Sequence, residues 1–534
     1  MGWWYINGRP YSGEVQHFFS DPPTMSVDLL HFDAINPTLC LVLTVAFIIV
    51  NRLAAGKARF LPPGPRPLPV VGNIFGIKVN EPWITYKEWA QIHGNIVYSR
   101  LFGQEIIILN SEEVAKDLLE RRSRNYSDRP QYITTDLFGW SFHLGNRGYG
   151  NEFRQQRRQF HQAFHTKAAL KYHPVQLRRV NQLLVHLLET PENYANHLQT
   201  LNTSVIMEVT YGYDPAPHHD HLVALVERAT ALFVKENTAD KAIIFNALPF
   251  LQYIPPWFPG ANFQRKALQC QKLTAEMIEA PFQYTKQSIA AGTAIPSSML
   301  YDLFSRIPED DPSYELAMKS STATAFSSGS ETSSSLLQIF VLAMLFNPDV
   351  QQKAQLEIDA VVGRNRLPDF SDRPSLPYVE AVFRETLRWR PVVPLGVPHA
   401  TTNDDNFEGY FIPKGATIVT NIWAMAQNED KYPEPSKYKP ERFFTADGKL
   451  NDDTLGFVFG FGRRVCAGRH IGDATVWAAI ASILAVFNVT KAKDEHGDDI
   501  EVIPQWTNGI TVHPLPFPCC FEPRLGGMTS SQMM

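Results

Sequence analysis

The sequence reads as helical patterns over much of its length with short β-rich runs near its start, and three observations carry that reading. An apolar helical pattern runs from about Leu316 to Phe346 and ends at Asn347-Pro348, a boundary signal because the residue before proline avoids helical geometry. A second such pattern runs from about Ile471 to Phe487. Between 165 and 310, helical patterns alternate with breaks at Tyr211-Gly212-Tyr213-Asp214-Pro215 and Ile254-Pro255-Pro256-Trp257-Phe258-Pro259-Gly260. Strand-like runs such as Ile106-Ile107-Ile108-Leu109 are short and fall between Asn73 and about Leu119, mixed with helical stretches.

Composition bounds the function. With 534 residues, 44% hydrophobic and 12% aromatic, the chain can bury a large core. Length alone suggests roughly two to four domains. A net charge of −5 on a mixed surface gives no reason to invoke nucleic acid. The cysteines Cys40, Cys270, Cys466, Cys519 and Cys520 form neither a disulfide framework nor a zinc spacing, which fits a reducing, cytosol-facing domain.

Residues 1–33 form a mixed N-terminal extension to which no function attaches. From Thr38 to Val50 every side chain is apolar or small, a length shared by core helices and signal segments. Ile35 to Gly56 is long enough to span a bilayer, although Asn36, Pro37, Asn51 and Arg52 interrupt it. Arg52, Lys57 and Arg59 follow, whereas Glu14, Asp21, Asp28 and Asp33 precede, which puts the C-terminal side in the cytoplasm. We therefore expect a membrane anchor at 34–56 and a globular remainder. Leu61-Pro62-Pro63-Gly64-Pro65-Arg66-Pro67-Leu68-Pro69 cannot be helix and reads as a stiff connector within a hinge at 57–72.

Asn110-Ser111-Glu112-Glu113 has the form of a helix start. Residues 124–150, rich in glycine, aromatics and turn formers, read as a long loop. Asn151 reads as the N-cap of a helix carrying Arg154, Arg157 and Arg158 at the spacing of a solvated face. Inside the 316–346 pattern, Phe326-Ser327-Ser328-Gly329-Ser330-Glu331-Thr332-Ser333-Ser334-Ser335 is a poor helix former. It reads either as a small-residue packing seam or as a kinked stretch whose carbonyls and hydroxyls are freed to hold water. Glu385 and Arg388 share a helix face, by default a surface pair, and Pro440-Glu441-Arg442-Phe443 follows downstream. Pro391 to His399 is extended, with His399 a lone histidine. Trp506 to Ile510 reads as a turn and the tail from Pro516 as irregular. Asn125, Asn202 and Asn488 head glycosylation sequons that a cytosolic domain would leave unoccupied.

One stretch carries the chemistry: Phe459-Gly460-Phe461-Gly462-Arg463-Arg464-Val465-Cys466-Ala467-Gly468. It sets a cysteine in a glycine-rich turn just before an apolar helix, where backbone N–H groups favour the thiolate. The glycines allow sharp turns and close approach to a flat ligand. Arg464 could neutralise an acidic group on that ligand. A lone cysteine beside a helix is ordinarily a buried core thiol. Here Phe-x-x-Gly-x-Arg-x-Cys-x-Gly resembles the haem-binding loop of the cytochrome P-450 family of haem-thiolate monooxygenases.

That resemblance implies one mainly α-helical haem domain with a smaller β-rich part, of the cytochrome P-450 fold, over 73–515, preceded by the N-terminal membrane anchor helix and followed by a tail at 516–534. It implies haem b with an axial thiolate from Cys466, and it makes 61–69 the hinge of a microsomal member. Arg464, His399 and Arg157 would hold the haem propionates. The family's Trp-x-x-x-Arg pattern is matched at Arg157 but not at Phe153, which has no N–H to donate. Residues 328–333 are similar to the family's oxygen-binding motif, with Ser328 in place of the usual small residue. Thr332 would then bond dioxygen and its water, and Glu331 would belong to the proton relay. Glu385, Arg388 and Arg442 would form a buried triad. The 124–150 loop, the helices near 205–250, Val393–Val397 and the 506–510 turn would border the substrate pocket.

The sequence carries no P-loop and no flavin- or nicotinamide-binding glycine motif after a strand. The resemblance therefore implies electrons from NADPH through a separate, membrane-bound flavoprotein reductase, with Arg157, Arg158, Arg463 and Arg469 available to dock it. The expected enzyme sits in the endoplasmic reticulum membrane by a single pass, faces the cytosol and inserts one oxygen atom into a lipophilic small molecule. Pro-Pro-Trp-Phe-Pro-Gly resembles mushroom-type members used in secondary metabolism, which suggests a terpenoid, indole or polyketide substrate. The alternatives are a haem-thiolate isomerase or dehydratase needing no reductase and a non-catalytic haem-binding protein; both would more readily lack Thr332 and Glu331.

Overall fold

The computed structural model describes residues 60–216, 219–306 and 312–524. The expected extension at 1–33, the anchor at 34–56 and the first hinge residues at 57–59 lie outside the described residues. Helices of twelve or more residues are α1 (Pro82–His93), α2 (Asn151–Phe164), α3 (His173–Glu189), α4 (Tyr194–Tyr211), α5 (His221–Glu236), α6 (Asn262–Ala290), α7 (Pro312–Phe346), α8 (Pro348–Val361), α9 (Pro377–Trp389) and α10 (Arg469–Val486).

The described domain is organised around α7. Its hydroxyl-rich stretch is nonetheless continuous helix, with Ser327 donating to the Ala323 carbonyl at 2.8 Å and Thr332 to the Ser328 carbonyl at 3.2 Å. Ser328, Ser334 and Ser335 instead reach His143, Gln199 and His513, so the hydroxyls divide between the helix and its neighbours. The packing-seam reading holds at Gly329, where an added Cβ would meet Ile206 of α4 at 3.0 Å. α7 is long and apolar enough to cross a membrane, but most of it is buried among α2, α4, α9 and α10, as a helix apolar all round must be.

The strands make three small sheets. β1 (Ile96–Leu101) and β2 (Gln104–Leu109) form a hairpin that continues, in parallel, to β6 (Thr417–Thr420), which carries the short β3 (His399–Ala400) on its far edge. β4 (Asp405–Phe407) pairs with β5 (Tyr410–Ile412). β7 (Phe487–Lys491) pairs with β8 (Cys519–Pro523), so the tail expected to be irregular supplies a strand. The proline-rich segment lies extended along β1: Tyr98 N–H donates to the Pro63 carbonyl at 2.9 Å, and a Cβ on Gly64 would sit 1.9 Å from the Tyr98 oxygen.

Ser111 caps the helix start it was expected to mark, accepting from Val114 N–H at 3.3 Å. At α2 the cap is Gly150, and Asn151 is the first helical residue. The triad is present and buried. Arg388 donates to both oxygens of Glu385 at 2.7 Å, and Arg442 Nε donates to Glu385 at 3.2 Å. The remaining Arg388 donor meets the Ala426 carbonyl at 2.9 Å, so no part of this fully buried pair is stranded. Asn202 is also buried, donating to the Leu198 carbonyl, and cannot carry a glycan in this fold.

Candidate active site

The cysteine loop is built by its glycines. Gly460 and Gly462 both take positive φ, and a Cβ on Gly462 would lie 2.1 Å from the Leu119 oxygen. The loop closes through Cys466 N–H to the Phe459 carbonyl at 2.8 Å, and α10 begins three residues later. Cys466 faces a cavity of about 370 Å³ walled by α4, α7, α10 and the 391–399 segment. Its accessible surface lies on that cavity, so its environment is that of an interior group. Burial pushes the thiol up; the Gly468 N–H, Arg157, Arg469 and the Arg469 N–H pull it down. The helix N-terminus therefore acts in the expected direction, but desolvation outweighs it.

Five of the six residues singled out from sequence border this one cavity: Cys466, Arg464, Arg157, His399 and Thr332. The carboxylate of Glu331 is turned elsewhere, accepting from Thr511 Oγ1 at 2.7 Å. Next to it, His513 Nδ1 contacts Ser335 Oγ at 3.2 Å, and burial lowers the His513 pKa while Glu331 opposes the shift.

Arg464 donates to the carbonyls of Ser127 (2.7 Å), Arg147 (2.8 Å) and Leu144 (3.3 Å) and lies over the Phe153 ring at 3.7 Å. Burial lowers its pKa to about 10, with Asp128 opposing. His399 Nδ1 donates to the Tyr126 carbonyl at 2.8 Å. Burial, then Arg129, hold the ring well below its usual pKa, so Nε2 is a bare acceptor until a carboxylate approaches. Arg157 makes no hydrogen bond or ion pair among the described residues, and burial depresses its pKa.

The structure adds two residues that motif reading passed over. Arg129, buried, donates to Gly145, Val397 and Pro398 carbonyls and joins Arg157, Arg464 and His399 on the cavity. His143 Nε2 contacts Ser328 Oγ at 3.0 Å, and burial followed by Arg129 holds its pKa down to about 4. Both belong to the 124–150 loop, whose only sequence signal was its composition. Within the stretch expected from 205 to 250, Val205 and Ile206 reach the cavity. The 506–510 turn does not: Trp506 and Asn508 line a second cavity.

A cysteine beside a set of cations whose carboxylate partners are missing is the donor set for an iron ligand with acidic side arms. The cytochrome P-450 family model matches residues 62–521. The chain belongs to the cytochrome P-450 family. It resembles cytochrome P-450 monooxygenase 208 of Postia placenta at 40% identity over 487 residues, 90% of this chain and 94% of that one. It is 39% identical to cytochrome P-450 monooxygenase ple1 of Rhodocybe pseudopiperita, over 88% and 90% of the two chains. It is 36% identical to claR of Ampulloclitocybe clavipes, over 92% of each. This cytochrome P-450 is thus a haem-thiolate monooxygenase of basidiomycete type. Its family uses haem with a cysteine thiolate, dioxygen, a small-molecule substrate and electrons passed from NADPH by a flavoprotein reductase. The residues present fit that group: one thiol in a glycine cradle, and Arg157 without a counter-ion on the same wall.

Proposed function

We propose that this protein is a membrane-anchored monooxygenase that oxidises a lipophilic small molecule in fungal secondary metabolism, with Cys466 as the haem ligand. The observation that carries the reading is the convergence of Cys466, the cations Arg129, Arg157 and Arg464, the neutral His399 and Thr332 on one otherwise largely apolar cavity. When bound there, the haem supplies dioxygen activation.

The chain's own residues then divide the remaining work. Arg157, Arg464 and Arg129 would present guanidinium donors to the propionates, and His399 would add a donor once a carboxylate favoured its second proton. Thr332 holds its hydroxyl on the cavity wall with the proton committed to the Ser328 carbonyl, leaving its lone pairs to accept from water. Glu331, outside the cavity wall and bonded to Thr511, is the acid through which protons reach that hydroxyl, and it must turn from Thr511 to do so. Leu144, Val205, Ile206, Ala325, Val393 and Val397 exclude water and favour an apolar substrate.

The single-pass endoplasmic reticulum anchor at 34–56 is supported by the charge asymmetry across it. Exposed Phe250, Tyr253, Trp257 and Phe258 supply a further apolar patch suited to a membrane surface. Arg158 and Arg463 are exposed and suit reductase docking; Arg157 faces the cavity and leaves that set.

The deciding experiment is the visible spectrum of the dithionite-reduced protein with carbon monoxide, for wild type and Cys466→Ser. A strongly red-shifted Soret band in wild type alone is expected. Folded wild-type protein without that band would overturn the assignment.

A further inference from the structure

Beside the catalytic cavity lies a second one of about 420 Å³, bordered by Glu81, Trp83, Arg390, Trp423 and Trp506. Pro391 belongs to both walls. Arg390 follows the last residue of α9, and its guanidinium carbon stands 4.7 Å from the Trp506 ring, 5.0 Å from Trp423 and 5.6 Å from Trp389. Three indole faces hold the cation in place and shed its water.

What is missing is a hydrogen-bonded anion. Among the described residues Arg390 makes no hydrogen bond and no ion pair, and its Nε is buried without a partner. Burial pushes its pKa down while the nearby Glu81 charge opposes the shift, and an arginine stays charged. Glu81 lines the same cavity but is exposed and forms no ion pair with it. Elsewhere the fold satisfies its buried arginines: Arg388, two residues earlier, is gripped by Glu385 and Arg179 by Glu208, while Arg129 and Arg464 donate to backbone carbonyls. Arg157 is left in the same unpaired state, and it faces the haem cavity. A guanidinium without a hydrogen-bond partner in an aromatic hollow is expensive to maintain for structure alone.

We propose that Arg390 binds the carboxylate of an apolar organic acid. The guanidinium fork matches a carboxylate with two parallel hydrogen bonds, and the flanking indoles cover the adjoining carbon chain. One cation with Glu81 nearby favours a monoanion over a doubly charged phosphate. The site shares only Pro391 with the catalytic cavity and does not rest on the catalytic assignment, being built from the residues just after α9, the start of α1, Trp423 and the 505–508 turn.

Isothermal titration of the full-chain haem protein with octanoate and with octanamide, its neutral isostere, tests this, while the Soret band reports entry into the catalytic cavity. Saturable octanoate binding is expected without a Soret shift, at least tenfold tighter than octanamide. Arg390→Gln should abolish that preference and Arg390→Lys retain part of it. Equal binding of acid and amide by wild type, or octanoate binding accompanied throughout by a Soret shift, would overturn the proposal. So would a folded Arg390→Gln protein that binds octanoate as wild type does. The wild-type comparison of acid with amide needs no variant to fold.

Discussion

The Arg464 guanidinium carbon lies 3.7 Å from the centre of the Phe153 ring, at the position where a tryptophan would have offered an N–H instead. Phe153 cannot donate, but its buried face holds Arg464 while three backbone carbonyls take the guanidinium hydrogens. Phe153→Leu keeps apolar volume and removes that face, an interaction of roughly 0.5–2 kcal/mol. The variant is expected to lose haem faster to apomyoglobin than wild type. An unchanged transfer rate would show that the ring only fills space.

Glu385 carries two guanidinium groups and a backbone N–H in a fully buried setting. Glu385→Ala strands Arg388 and Arg442 and should cost about 3–5 kcal/mol. Urea denaturation, or failure to accumulate folded haem protein, is the readout. A loss below about 1 kcal/mol would place the triad among ordinary surface pairs.

Thr332→Ala should leave NADPH consumption by the reductase largely intact while product per NADPH falls by roughly 100-fold, the lower range for loss of a positioned proton-transfer group. Thr511→Val removes a single hydrogen bond to Glu331, worth about 0.5–1.5 kcal/mol, and should alter coupling by at most about tenfold. Because Thr511 touches no part of the catalytic cavity, substrate-induced Soret shifts should be unchanged in that variant.

His143 sets a pH dependence. Its pKa is held near 4 in the fold against an ordinary value of 6.5, so the unfolded chain binds the extra proton between those values. The neutral ring's contribution is complete above about pH 7 and is lost as pH falls from 6.5 towards 4. The melting temperature of wild type relative to His143→Gln should be flat above neutrality and decline across that window. A constant difference would mean that burial and Arg129 do not hold the ring neutral.

Local chemistry was legible from sequence because its causes lie within a few residues. The turn at Gly460–Gly468 needs positive φ and a close backbone approach, and only glycines in that order allow both; the cysteine's place follows. The α7 pattern is likewise a property of one continuous stretch, and Ser111 announces its helix through a hydroxyl three residues from its partner. Tertiary structure decided what depends on partners far along the chain. Cys519–Pro523 became a strand because Phe487–Lys491 offered an edge. Glu331 turned away from the cavity because Thr511, distant in sequence, offered a hydroxyl. Arg157 and Arg390 look like any helix-borne or loop arginine until packing removes their water and provides no carboxylate. Periodicity and turn preference act along the chain, whereas burial and charge pairing arise only when remote segments meet.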